Sequence, residues 1–174
     1  MKTTDIGIKK FSSDFYEQNT FICGKAATIL TEASTQLNNL GAQNNTVLIT
    51  DPYLFPSNPN SIYQTDLITL LSGLKATKIT YCAKNILNPS FFQQIQNALQ
   101  SSGTILEFNN QLEECHDRFW YCPETEKCVV FGTSLNGLGR KICRINMLND
   151  DEITELKQFF ISAGILPGGD NSGT

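Results

Sequence analysis

His116 is the only histidine in the chain, and it stands in the run Cys115-His116-Asp117-Arg118-Phe119. Downstream comes Gly132-Thr133-Ser134-Leu135-Asn136-Gly137. An imidazole can act as a nucleophile toward phosphorus or as a general acid toward a leaving alkoxide. A guanidinium two residues on can hold two phosphate oxygens in a bidentate grip. If the run is a strand, residues i and i+2 share a face, so His116 and Arg118 point together while Asp117 and Cys115 point away. That parity argues against a Cys115–His116 nucleophile pair. Thr133, Ser134 and Asn136 offer neutral polar side chains, and the glycines at 132, 137 and 139 let backbone N–H groups approach an anion. These are the parts needed to bind a phosphodiester and stabilise charge on its oxygens.

The assignment that follows makes His116 and Asn136 the candidates for catalysis. Arg118, Ser134, Thr133, Asp51, Lys141 and Trp120 are the candidates for substrate binding. Each has a plainer alternative. Arg118 can pair with a carboxylate such as Asp51, and Ser134 can cap its turn. Lys141, with Arg140 and Arg144, is either a solvated face or a rim that guides a polyanion. Trp120, on the His116 face by parity, either stacks on a ligand or packs in the core, and Tyr53 has the same two options.

The elements that must position these residues alternate. Apolar residues from Ala26 to Leu40 recur at helical spacing, and Gly41 stops the run. Strands are expected at Thr46–Thr50, Lys78–Ala83 and Thr104–Phe108, and a helix at Ser61–Leu74. A further helix follows Asn88-Pro89, an N-cap with proline in the first turn. Helix–strand alternation implies parallel strands joined by crossovers. The back half changes character: strands at Cys115–Tyr121 and Lys127–Phe131 flank Pro123-Glu124-Thr125-Glu126 as a hairpin, and a last strand is expected at Lys141–Met147. Asn149-Asp150-Asp151-Glu152 opens a terminal helix. The expected fold is α/β: a mixed, largely parallel sheet with helices on both faces, in one domain over residues 1–166, with residues 167–174 as a frayed tail.

Composition narrows the classes. A formal net charge of −4 argues against broad, non-specific nucleic-acid binding, so any anion site must be local. The sequence has no run long and apolar enough to span a membrane and no apolar signal core after Met1, so a cytoplasmic protein is expected. No cofactor or metal is implied, because the six cysteines form no C-x-x-C pair and one histidine completes no zinc pattern. Reduced thiols are expected, and Cys122–Cys128 across the hairpin is the single pairing worth considering.

The motif His-x-Arg followed by Thr-Ser-x-Asn resembles that of the phospholipase D superfamily, His-x-Lys followed by Gly-Ser-x-Asn. The exit Asp51-Pro52-Tyr53 after Val47–Ile49 is similar to that superfamily's early strand. Arg118 stands where lysine is expected, Pro123 where an aspartate would be, and Leu148 where an acid would follow Asn146. His116-Asp117-Arg118-Phe119 with Gly132 to Lys141 is similar to a divergent bacterial subgroup found in defence and mobile-element proteins. His-Asp-Arg also resembles the non-catalytic, lipid-binding domain that follows MIT domains. The resemblance implies a phospholipase D-like fold and a phosphodiester ligand, either nucleic acid or a phospholipid head group. Active members use two His-x-Lys motifs, so with one histidine a full site implies a homodimer. Three readings follow: a degenerate phosphodiester- or phosphate-binding module, a homodimeric phosphodiesterase or nuclease, and a protein-interaction domain with a vestigial site.

Overall fold

The computed structural model describes residues 26–112, 115–137 and 144–168. In chain order the elements are α1 (Ala26–Asn38), β1 (Thr46–Ile49), α2 (Ser61–Gly73), β2 (Lys78–Cys82), α3 (Pro89–Gln100), β3 (Ile105–Asn109), β4 (Arg118–Cys122), β5 (Lys127–Phe131), β6 (Ile145–Met147) and α4 (Asp150–Ser162). The strands form one sheet in the order β3-β2-β1-β4-β5-β6. β1, β2 and β3 run parallel, whereas β4, β5 and β6 join antiparallel to their neighbours. The α/β class and the mixed sheet with helices on both faces are thus as the sequence implied. The parallel half is confined to the three strands joined by helical crossovers.

Strand parity divides the core in two. Val47, Ile49, Trp120, Cys122, Val129 and Phe131 point into the larger core, beneath α1, α2 and α3. Leu48, Tyr121 and Cys128 point to the other face, where Ile153, Leu156 and Phe160 of α4 cover them. That α2 and α3 share one side follows from the order β1-β2-β3. Two successive crossovers of one hand put both connecting helices on the same face.

Helix starts are built as the sequence suggests. Asn60, Asn88 and Asn149 accept from the backbone N–H of Tyr63, Phe91 and Glu152. Asn149 and Glu152 close a reciprocal capping box. The hairpin turn is fastened to the opposite end of the sheet: Thr125 Oγ1 donates to Leu40 O at 2.6 Å, and Glu124 Oε1 accepts from Thr46 N at 3.0 Å.

Two expectations are corrected. Cys122 pairs with Lys127 and Cys128 with Tyr121, so the two thiols face opposite cores and cannot form a disulfide. β4 begins at Arg118 rather than Cys115, because its partner β1 ends at Ile49 and the chain turns away at Asp51-Pro52. The segment expected as strand from Lys141 is β6 from Ile145, with residues 138–143 outside the described ones, as are most of the C-terminal tail and residues 1–25. Among the described residues no helix is long and apolar enough to cross a membrane.

Candidate functional site

Because β4 is antiparallel to β1, its start lies at the same sheet edge as the carboxyl ends of β1, β2 and β3. The end of β5 lies there too, since Phe131 pairs with Arg118. Ligands of open α/β sheets gather beyond such strand ends, where the connection order switches. Here the switch is at β1, which has a parallel crossover neighbour on one side and an antiparallel strand on the other.

Thr50 fixes this edge. Its N–H donates to Phe119 O, its Oγ1 accepts from Phe119 N, and its hydroxyl donates to Asp117 O, each at 2.9 Å. The entry to β4 is therefore clamped to the exit of β1. The chain beyond β1 is anchored by Phe55, which is fully buried and packs edge-on against Tyr81 at 4.9 Å and Phe92 at 5.0 Å. Asn88 ties that loop to the β2 exit: its Nδ2 donates to Pro56 O at 3.2 Å and Ser57 O at 3.1 Å.

Between these loops lies a cavity of about 400 Å³. Its cationic or imidazole groups are His116, Arg118 and Lys84. Asn85 and Thr50 add polar groups, and Tyr53, Leu87 and Leu112 add apolar surface. Among the described lining residues no carboxylate stands. His116 and Lys84 are exposed, and Arg118 is half-buried. The buried Nε of Arg118 has no hydrogen-bond partner. Among the described residues the ion pairs are Lys78–Glu107 and Lys157–Glu126, so Arg118 is not held by Asp51. A guanidinium that lines a cavity and, among the described residues, makes no ion pair suits a multi-oxygen anion.

Two thiols also line the cavity. Burial pushes Cys82 up to about 12, and the neighbouring Cys115 adds to it. Burial likewise raises Cys115, opposed by hydrogen bonds from Thr50 and Asp117 and by the Arg118 charge. Burial thus disfavours the thiolate at both positions.

Asp51 lies beneath the cavity, 1% exposed. Its Oδ1 accepts from Tyr53 N at 3.0 Å and its Oδ2 from Leu135 N at 3.3 Å. The Ser134 hydroxyl is buried beside it without a well-formed hydrogen bond. Burial raises the Asp51 pKa, while the two N–H donors, the Ser134 hydroxyl and the Arg118 charge pull it back. The carboxyl in turn adds to the burial that raises Tyr63 and Tyr81. Asp51 therefore joins the β1 exit to the turn after β5, where a Cβ on Gly137 would collide with the Thr133 hydroxyl.

The expected site is thus only partly assembled. His116 and Arg118 share the cavity, although through a loop and a strand start rather than strand parity. Asp51 and Ser134 are buried under the edge and make no cavity wall; Thr133 and Asn136 lie in the adjoining turn, also off the wall. Trp120 does not reach a ligand: it is fully buried and packs on Phe131 at 5.7 Å. Its parity matches that of Arg118, but it lies two residues deeper along the strand. Lys141 lies outside the described residues. Sequence reasoning missed Lys84 and Asn85, whose only signal was their position just past a parallel strand.

No family model and no curated protein matches the chain. Among solved structures it is similar to the archaeal chromatin protein TrmBL2, in a structure described as showing a novel mode of DNA binding. The identity is 13% and the TM-score 0.44, over 87% of this chain and 54% of that one. The chain spans about half the length of that protein, and a likeness this distant bears on neither ligand nor activity.

Proposed function

We propose that the chain binds a phosphate-bearing anion, a phosphate or phosphodiester group, in the His116–Arg118–Lys84 cavity, as a non-hydrolysing relative of phospholipase D-like proteins. The observation that carries this reading is Arg118, in no ion pair among the described residues, on a wall that, among the described residues, holds two cations and an imidazole but no carboxylate. Ligand oxygens would meet the Arg118 guanidinium, with Lys84 as a second point charge and His116 as a further donor at the mouth. Hydrolysis through a covalent histidine intermediate needs a second proton-transfer group on the leaving side. The described wall supplies one imidazole where the hydrolases it resembles use two, so binding is favoured over turnover.

Titration calorimetry with inorganic phosphate, a short oligodeoxynucleotide and a soluble phosphoinositide head group tests this. One of the three binds saturably, and Arg118→Ala weakens it by about 10- to 100-fold, the worth of a charge-assisted hydrogen bond. Absence of saturable binding to all three defeats the reading. Phosphodiester hydrolysis that His116→Ala abolishes would replace it with a homodimeric enzyme.

A further inference from the structure

We propose that the groove between α4 and the outer face of β4, β5 and β6 seats a cationic amphipathic helix of a partner protein. Three helices roof one face of the sheet, but α4 covers the other beside an open groove of about 590 Å³. One wall is a single stripe of α4: Glu152, Glu155, Leu156 and Phe159. Offsets of three, four and seven residues are the ridge that a neighbouring helix packs against. The floor is Phe119 and Val130, with Asn146 and Leu148 beside them. Phe159 is 40% exposed and leans on Phe160 at 5.7 Å, so an anchoring ring is already in place.

Charge selects the occupant. Asp117, Glu152 and Glu155 line the groove, and no lysine or arginine is among the described lining residues. A purely apolar helix would strip water from Asp117 and Glu155, and from Glu152 beyond its capping bond, without pairing them, which costs more than its contacts return. A helix with Lys or Arg flanking its apolar stripe pairs them and fills the trough. A second copy of this chain is disfavoured, because a two-fold contact would set the α4 acids against each other. Strand addition is disfavoured as well: among the described residues, edge strand β6 offers three residues to pair with.

The test uses a labelled synthetic helix of about 18 residues built from Leu and Lys, and its Glu-for-Lys counterpart, titrated against the full chain by fluorescence anisotropy. The Lys peptide binds saturably and the Glu peptide does not. Glu155→Lys and Phe159→Ser, both at exposed positions, each weaken binding by about tenfold or more. Asp66→Lys makes the same charge change on α2, away from the groove, and alters binding by less than about twofold. Equal losses for Glu155→Lys and Asp66→Lys would mean that the peptide reads net charge alone, which overturns the proposal. Lack of saturation up to about 1 mM overturns it too. So does self-association of the free chain that Phe159→Ser abolishes, since the occupant would then be a second copy.

Discussion

At the scale of single residues, the distinction that matters is between groups that face the cavity and groups that hold its walls. Asp51 belongs to the second kind. Removing its carboxyl leaves the N–H groups of Tyr53 and Leu135 without their acceptor, so Asp51→Ala costs about 1–3 kcal/mol by chemical denaturation. The pH dependence has a definite sign. Burial raises the Asp51 pKa above its ordinary 3.8, so over the range between the two values the folded chain holds more proton than the unfolded one. The stability this group contributes is full below pH 3.8 and is lost as pH rises through the higher folded value. Wild type therefore gains on Asp51→Ala as pH falls toward 4; a gap that narrows on acidification contradicts the assignment. The structure brings His116 and Arg118, two residues apart in sequence, to one cavity. Trp120 was misplaced because strand parity fixes which face a residue takes but not how far it lies from the rim. Lys84 was invisible because no local pattern marks it; the strand order brings it to the site.

At the scale of elements, the rim is held by caps and clamps that serve two loops at once. Asn88 caps α3 through its Oδ1 and ties the β1 exit loop through its Nδ2. Asn88→Ala removes both functions and costs about 1–2 kcal/mol. Asn88→Asp keeps the cap acceptor but gives up the donor. It therefore retains most of the stability while loosening the cavity, so thermal melts and anion affinity should separate in this variant and fall together in Asn88→Ala. Coincident losses in both variants would show that the tie to Pro56 and Ser57 does not shape the cavity. Most elements were readable to within a residue or two, since apolar period and asparagine caps are local signals. The start of β4 was not. A strand lasts only as long as its neighbour, and the neighbour's early turn at Asp51-Pro52 lies more than sixty residues upstream, as the Thr50–Asp117 bond with a separation of 67 illustrates. The Cys122–Cys128 pairing failed for a related reason: spacing across a hairpin says nothing of register until the turn length is known.

At the scale of the whole molecule, an acidic chain presents a local basic cavity at one sheet edge and an acidic groove on the opposite side of β4. A net charge of −4 gives no long-range attraction for a polyanion, so anion affinity rests on contacts within the cavity. Its salt dependence is accordingly shallow, a log–log slope of about 2 or less for two cations; a much steeper slope would mean that a wider basic surface is engaged. The fold class was legible because alternation of helix and strand is a global pattern, whereas the position of the cavity depended on which strands became neighbours. The central claim is that the His116–Arg118–Lys84 cavity binds a phosphoryl anion, and the single histidine makes it directly observable. One imidazole gives a single Hε1 resonance, to be followed by NMR during titration with inorganic phosphate and then a short phosphodiester. The resonance should shift saturably in wild type and shift far less in Arg118→Ala at the same concentrations. A resonance that neither ligand moves in wild type, or that moves equally in Arg118→Ala, contradicts anion binding at this cavity.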